Sequence, residues 1–172
     1  GLLLSHRADW AIVSEVEQND DVLFKPLFSY EMVGICSKDH PLANKEVWQA
    51  EDFAEETWVT YPVPDDMLDL YRQVLKPKGI NPPRRTTELT IALIQLVASR
   101  RGIATVPYWA ALPYLEKGYV VARKITEEGL YSNLYAAIRK EDANLAYIED
   151  FHQTVKAQSF STLPGLSVLE LY

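Results

Sequence analysis

The stretch "LIQLVASRRGIATVPYWA", residues 93–110, constrains the fold more than any other part of the chain. Leu93, Leu96 and Val97 fall at i, i+3 and i+4, one apolar stripe along a helix. Gly102 is placed to stop that helix as a C′ glycine. Ile103, Ala104 and Val106 then form a short buried run, which Pro107 closes. Helix, glycine, strand and proline in this order belong to an α/β fold.

The same alternation runs along the chain. Residues 8–14, "ADWAIVS", read as a short strand. Residues 23–38 are long, rich in β-forming types and able to cross from one lobe to another. A turn, "DHPLAN", a helical turn at 51–54 and a strand at 57–62 follow. "DDMLDLYRQVLKPKGI" predicts an amphipathic helix capped by Asp65 or Asp66, with Met67, Leu70, Val74 and Leu75 inward and Pro77 and Gly79 as its stop. The helix of the opening stretch starts near Thr90. "ALPYLEKG" predicts another helix, stopped at Gly118, before a strand in "YVVARKI". Residues 130–140 form a second long strand. The last helix carries Leu145, Ile148, Phe151 and Val155 on one face, and the tail 161–172 shows no preference. Strands separated by helices imply a mainly parallel sheet, and two long β segments, one early and one late, imply two lobes joined by a pair of crossovers.

Composition narrows the function. With 172 residues, 48% hydrophobic and 24% charged, the chain is long enough for a substantial core. A net charge of -7 disfavours direct binding of a phosphate backbone and suits a soluble cytoplasmic protein. The single cysteine, Cys36, lies in an apolar run and reads as a small buried hydrophobe. No run approaches the ~20 apolar residues of a membrane span. The sequence holds no G-x-G-x-x-G or Walker loop and no G-x-S-x-G elbow, and no cofactor or metal is expected. His6, His40 and His152 stand alone, His40 in a turn and His152 facing solvent behind a core Phe151. Arg100 and Arg101 end a helix, where cations complement its dipole; an anion-binding role is the other reading.

Three segments carry a family resemblance. "HRADWAIVS", "LFKPLFSYEMVGICSKDHPLA" and "LIQLVASRRGIATVP" resemble the effector-binding domain of LysR-type transcriptional regulators. Arg100 stands where that family usually has the first glycine of its "LVAAGxGIALLP" pattern. "YPVPDDMLDLYRQVLKPKGI" and "LYSNLYAAIRK" resemble the branch that regulates methionine biosynthesis genes. The resemblance implies a type II periplasmic-binding-protein-like fold of two Rossmann-like subdomains joined by two crossover strands. Subdomain I would be residues 1–35 with 138–172, N-terminally incomplete, and subdomain II residues 36–137. It implies DNA contact only through a winged helix-turn-helix outside this chain, a homodimer here and a tetramer in the full-length protein.

The resemblance also implies a small effector in the cleft between subdomains, homocysteine or a related amino acid in this branch. Its candidate contacts are Ser14 after the first strand, Tyr61, Pro62 and Val63 after the third, through backbone groups, Thr90 at a helix start, and Pro107 at the end of a strand aimed at the cleft. For Thr90 the competing reading is an N-cap bonding its own backbone, and for Ser14 a plain turn serine. Tyr108 and Trp109 read as core packing before ligand cover. A solute-binding protein of a transporter shares this fold and is the alternative. An α/β enzyme would need a convergent acid, base or nucleophile, which these residues do not assemble.

Overall fold

The computed structural model describes residues 1–169. In chain order the strands are β1 Trp10–Val13, β2 Val22–Cys36, β3 Val47–Trp48, β4 Trp58–Thr60, β5 Arg84–Thr86, β6 Ile103–Pro107, β7 Val121–Ile125, β8 Leu130–Arg139 and β9 Leu166–Ser167. The α-helices are α1 Thr90–Ala98, α2 Tyr108–Glu116 and α3 Ala146–Thr162. The chain divides into two compact units, Gly1–Tyr30 with the chain from Ser132 onward, and Glu31–Tyr131. Both boundaries fall inside long strands, so β2 and β8 are the connections between the units.

In the second unit the strands follow the order β3-β7-β2-β6-β4-β5. β4 pairs in parallel with β5 and β6, and β3 with β7. β2 is antiparallel to both β6 and β7. In the first unit β1 pairs antiparallel with β8, and β9 antiparallel with β2. The sheet is therefore mixed, which corrects the mainly parallel expectation. Parallel pairs arise where helical segments carry the chain back over the sheet, whereas β2 enters the second unit as a continuous strand and fixes its own direction.

Side chains of the second unit alternate between two cores, as the twofold period of a strand requires. Val33, Ile35, Val59, Ala104 and Val106 face one core, covered by Leu93, Ile94 and Val97 of α1 and Ala111 of α2. Cys36, Trp58 and Ile103 face the other, with Trp48, Phe53, Leu70 and Leu75. Burial pushes the Cys36 thiol up to about 11, in keeping with an inert core cysteine.

Several local expectations change. Asp65–Met67 is a 3₁₀ turn, Tyr71–Leu75 is π-helical and Lys76–Lys78 is again 3₁₀, so no single α-helix spans the segment. Gly79 ends it as expected. Leu70, Val74 and Leu75 are buried but Met67 is exposed. Asp65 and Asp66 cap nothing and pair with Arg84 and Lys76. Helix α3 buries Ile148 and His152, while Phe151 is 51% exposed, the reverse of the sequence reading. Positions 151 and 152 are both one turn from Ile148, and both rings meet Trp10 of β1, at 5.2 and 6.5 Å between centroids. The His152 Nδ1 has no hydrogen-bond partner there, and burial pushes its pKa down. His40 closes its turn, as expected, and is the buried N-cap of the 3₁₀ helix Pro41–Asn44. Its Nδ1 accepts from the Leu42 N–H at 3.1 Å and its Nε2 lies 3.2 Å from Glu56 Oε2. Of the undecided tail, 166–167 form β9, and residues 170–172 lie outside the described residues.

The stop of α1 is also corrected. Arg100, not Gly102, occupies the C′ position, with φ 57°. The N–H of Arg101 reaches Leu96 O at 2.9 Å and that of Arg100 reaches Val97 O at 3.0 Å, the paired bonds of a Schellman motif. A side chain in this left-handed region costs about 1–2 kcal/mol. Arg100→Gly is therefore expected to raise stability by roughly 1 kcal/mol, part of the strain being offset by the freer unfolded chain. A melting point unchanged or lowered in the variant would contradict this assignment.

Candidate functional site

Parallel strands β4 and β6 end at one edge of the second unit, the edge where open α/β sheets bind ligands. β6 delivers Pro107 there, half-buried, immediately before α2. β4 delivers the turn Tyr61, Pro62 and Val63, closed by the Val63 N–H donating to Tyr61 O at 2.9 Å. β5 pairs with β4 through Thr60 and Thr86, and the Thr87 N–H donates to Thr60 O at 3.0 Å. The chain then enters α1 beside that turn.

Thr90 is the first residue of α1. Leu89 is the N-cap and offers no side-chain acceptor, so the N-cap reading of Thr90 is corrected. The hydroxyl of Thr90 turns instead to Tyr61, with Oη and Oγ1 2.8 Å apart. Tyr61, expected to act through its backbone, makes this contact through its phenol. The first-turn N–H groups of α1, at the positive end of the helix dipole, thus open beside two hydroxyl groups. Such a set suits a carboxylate, and the partly exposed side chain of Val63 offers apolar surface nearby in sequence. Tyr108 packs against the core formed by α1 and β6, in line with the packing reading.

Tyr61 and Thr90 are brought into contact, and Pro62, Val63 and Pro107 share the strand-end edge. Ser14 belongs to the first unit, exposed and next after β1. Among the described residues no group of His, Cys, Asp and Glu side chains could hold a metal ion, and no helix is long and apolar enough to cross a membrane. A hollow of about 350 Å³ in the first unit is lined by His6, Asp21 and Arg139 among others. Its Arg139 is already committed to Leu3 O, Ala8 O and the carboxylates of Asp9 and Asp142, a structural role. Sequence reasoning missed Arg84, whose guanidinium lies over the rings of Trp58 and Tyr71 and pairs with Asp65. No spacing rule links position 84 to 58, 65 and 71.

Known proteins share this architecture. The family model for the LysR substrate binding domain matches residues 1–159. The HTH-type transcriptional regulator MetR of Haemophilus influenzae is 85% identical over 171 residues, 99% of this chain and 55% of that protein. Its counterpart in Escherichia coli is 35% identical over 162 residues, 94% of this chain and 51% of that protein. The chain thus spans about half the length of these curated relatives. The solved regulatory domain of MetR, a LysR family regulator from N. meningitidis, superposes with a TM-score of 0.91 at 65% identity, covering 98% of this chain and 78% of that one.

Proposed function

Because the chain belongs to the LysR substrate binding domain family, with the type II periplasmic-binding-protein-like fold of its regulatory domains, we propose that it is the effector-binding part of a cytoplasmic transcriptional regulator of methionine biosynthesis genes, sensing homocysteine. The regulator reading is supported by the 85% identity to a MetR protein. The effector reading is carried by one observation, the contact of Tyr61 and Thr90 hydroxyls at the uncapped start of α1. In this reading the amino-acid carboxylate takes the α1 N–H groups and the two hydroxyls. Its thiol-bearing stem lies against Val63 and Pro107, and Pro62 rigidifies the turn. The role is binding, with no reaction.

Signalling follows if homocysteine has different affinities for two arrangements of a homo-oligomer, a dimer of this domain and a tetramer of the whole regulator. DNA contact is assigned to the helix-turn-helix named in the relatives and not to this chain, whose net charge is -7.

Thermal melting of the full-length regulator tests the effector. At a hundredfold excess over its dissociation constant, homocysteine should add roughly 2.7 kcal/mol. For a domain of this size each kcal/mol moves the melting point by about 2–4 °C, so a rise of several degrees is expected. Thr90→Val and Tyr61→Phe should shrink it, and methionine should give less. A melting point indifferent to saturating homocysteine would remove this effector and leave the family membership intact.

A further inference from the structure

After β4 the chain runs as a strap over residues 61–68 before re-entering the core. Backbone hydrogen bonds within the strap are local: Val63 to Tyr61, Met67 to Pro64 and Leu68 to Asp65. Side chains tie it to the rest of the second unit. Tyr61 meets Thr90, Asp66 accepts from Lys76 Nζ at 2.9 Å, and Asp65 receives both terminal nitrogens of Arg84, Nη2 at 3.3 Å from Oδ2.

Of these partners Arg84 is the most firmly placed. The β4–β5 register sets it opposite Trp58, a fully buried ring. Its Cζ lies 5.1 Å from the Trp58 ring centroid and 5.0 Å from that of Tyr71. A planar guanidinium can stack and hold a carboxylate through its edge at the same time, which an ammonium group cannot. Asp65 is therefore pinned to a fixed point of the sheet, a few residues along the strap from Tyr61.

We infer that Arg84 is a positioning residue: by bridging Trp58, Tyr71 and Asp65 it sets the strap so that the Tyr61 phenol meets Thr90. The use made of that position rests on the proposed effector reading, whereas the positioning is a property of the ligand-free protein. A residue that only added stability would leave the Tyr61–Thr90 contact unchanged when removed.

NMR of the chain carrying ring-labelled tyrosine separates the two roles. Tyr61→Phe identifies the Tyr61 signal by its loss, and Thr90→Val gives the displacement that accompanies loss of the contact. Arg84→Gln is expected to displace the Tyr61 signal in the same direction, and Arg84→Lys to give an intermediate displacement. Asp65→Asn, which alters a solvent-facing group, should reproduce the effect if Arg84→Gln does not fold. A Tyr61 signal that stays at its wild-type position in these variants, or fails to move in Thr90→Val, overturns the inference, even if melting points fall. Homocysteine titration then adds a second readout. Arg84→Gln should weaken binding about tenfold, and adding it to Thr90→Val should cost little more, because both act on one contact. Absence of homocysteine binding in the unsubstituted protein would overturn the effector reading, while the NMR displacements would still decide the role of Arg84.

Discussion

Gly102→Ala is expected to destabilise the protein by roughly 3–5 kcal/mol, the sum of backbone strain and overpacking. Gly102 has φ 151°, a conformation that L side chains rarely adopt. A Cβ there would lie 2.3 Å from Thr57 O and 2.8 Å from Val59 Cγ2. Thr57 O has no freedom to retreat, since it accepts the Ile103 N–H at 2.9 Å as β6 begins. Relief would have to shift β6 against β4, the pair whose ends carry Tyr61 and Pro107. At about 2–4 °C per kcal/mol the melting point should fall by roughly 10 °C or more. A fall of only a degree or two would show that the loop relaxes without disturbing the strands. At Arg100, two positions earlier in the same loop, the expected sign is opposite, and an added glycine should stabilise.

The second large effect concerns Trp48. Its ring is fully buried, its Nε1 donates to Leu42 O at 3.0 Å, and Phe53 meets it edge-on at 5.7 Å between centroids. Trp48→Ala should cost about 3–5 kcal/mol through the cavity it leaves and the orphaned Leu42 carbonyl. The same ring explains Gly34 in β2, where a Cβ would lie 2.4 Å from Trp48 Cε3. Gly34→Ala should therefore be strongly destabilising alone and nearly neutral when Trp48 is already alanine. Denaturant melts of the two single variants and the double variant measure this coupling. Additive costs would mean that Gly34 serves the strand backbone and not the tryptophan.

Both cases bear on how the site is held. The hydroxyl pair of Tyr61 and Thr90 depends on where the end of β4 and the start of α1 fall. Gly102 lies in close approach to Thr57 and Val59 at the start of the β4–β6 pair, Trp48 packs on Gly34 of β2, and β2 is the strand on which β6 is registered.

The sequence alone determined what depends on neighbours a few residues apart. The helix start near Thr90, the stop at Gly79, the strand at 103–107 and the two long strands all follow from local periodicity and turn chemistry, and they hold. So do the family resemblance and the buried state of Cys36. Tertiary structure decided whatever two local readings left equal. Phe151 and His152 lie equally near the apolar stripe of α3, and only the folded structure shows that His152 is the one covered. Gly102 reads locally as a helix stop, but a carbonyl forty-five residues earlier, Thr57 O, is what forbids a side chain there. Residues 65–78 have the apolar spacing of an α-helix, yet they run through 3₁₀ and π-helical turns while Leu68, Leu70, Val74 and Leu75 join the core around Trp58. The contact of Tyr61 with Thr90, twenty-nine positions apart, exists because parallel pairing brings the end of β4 beside the start of α1, and no local preference of either residue encodes it.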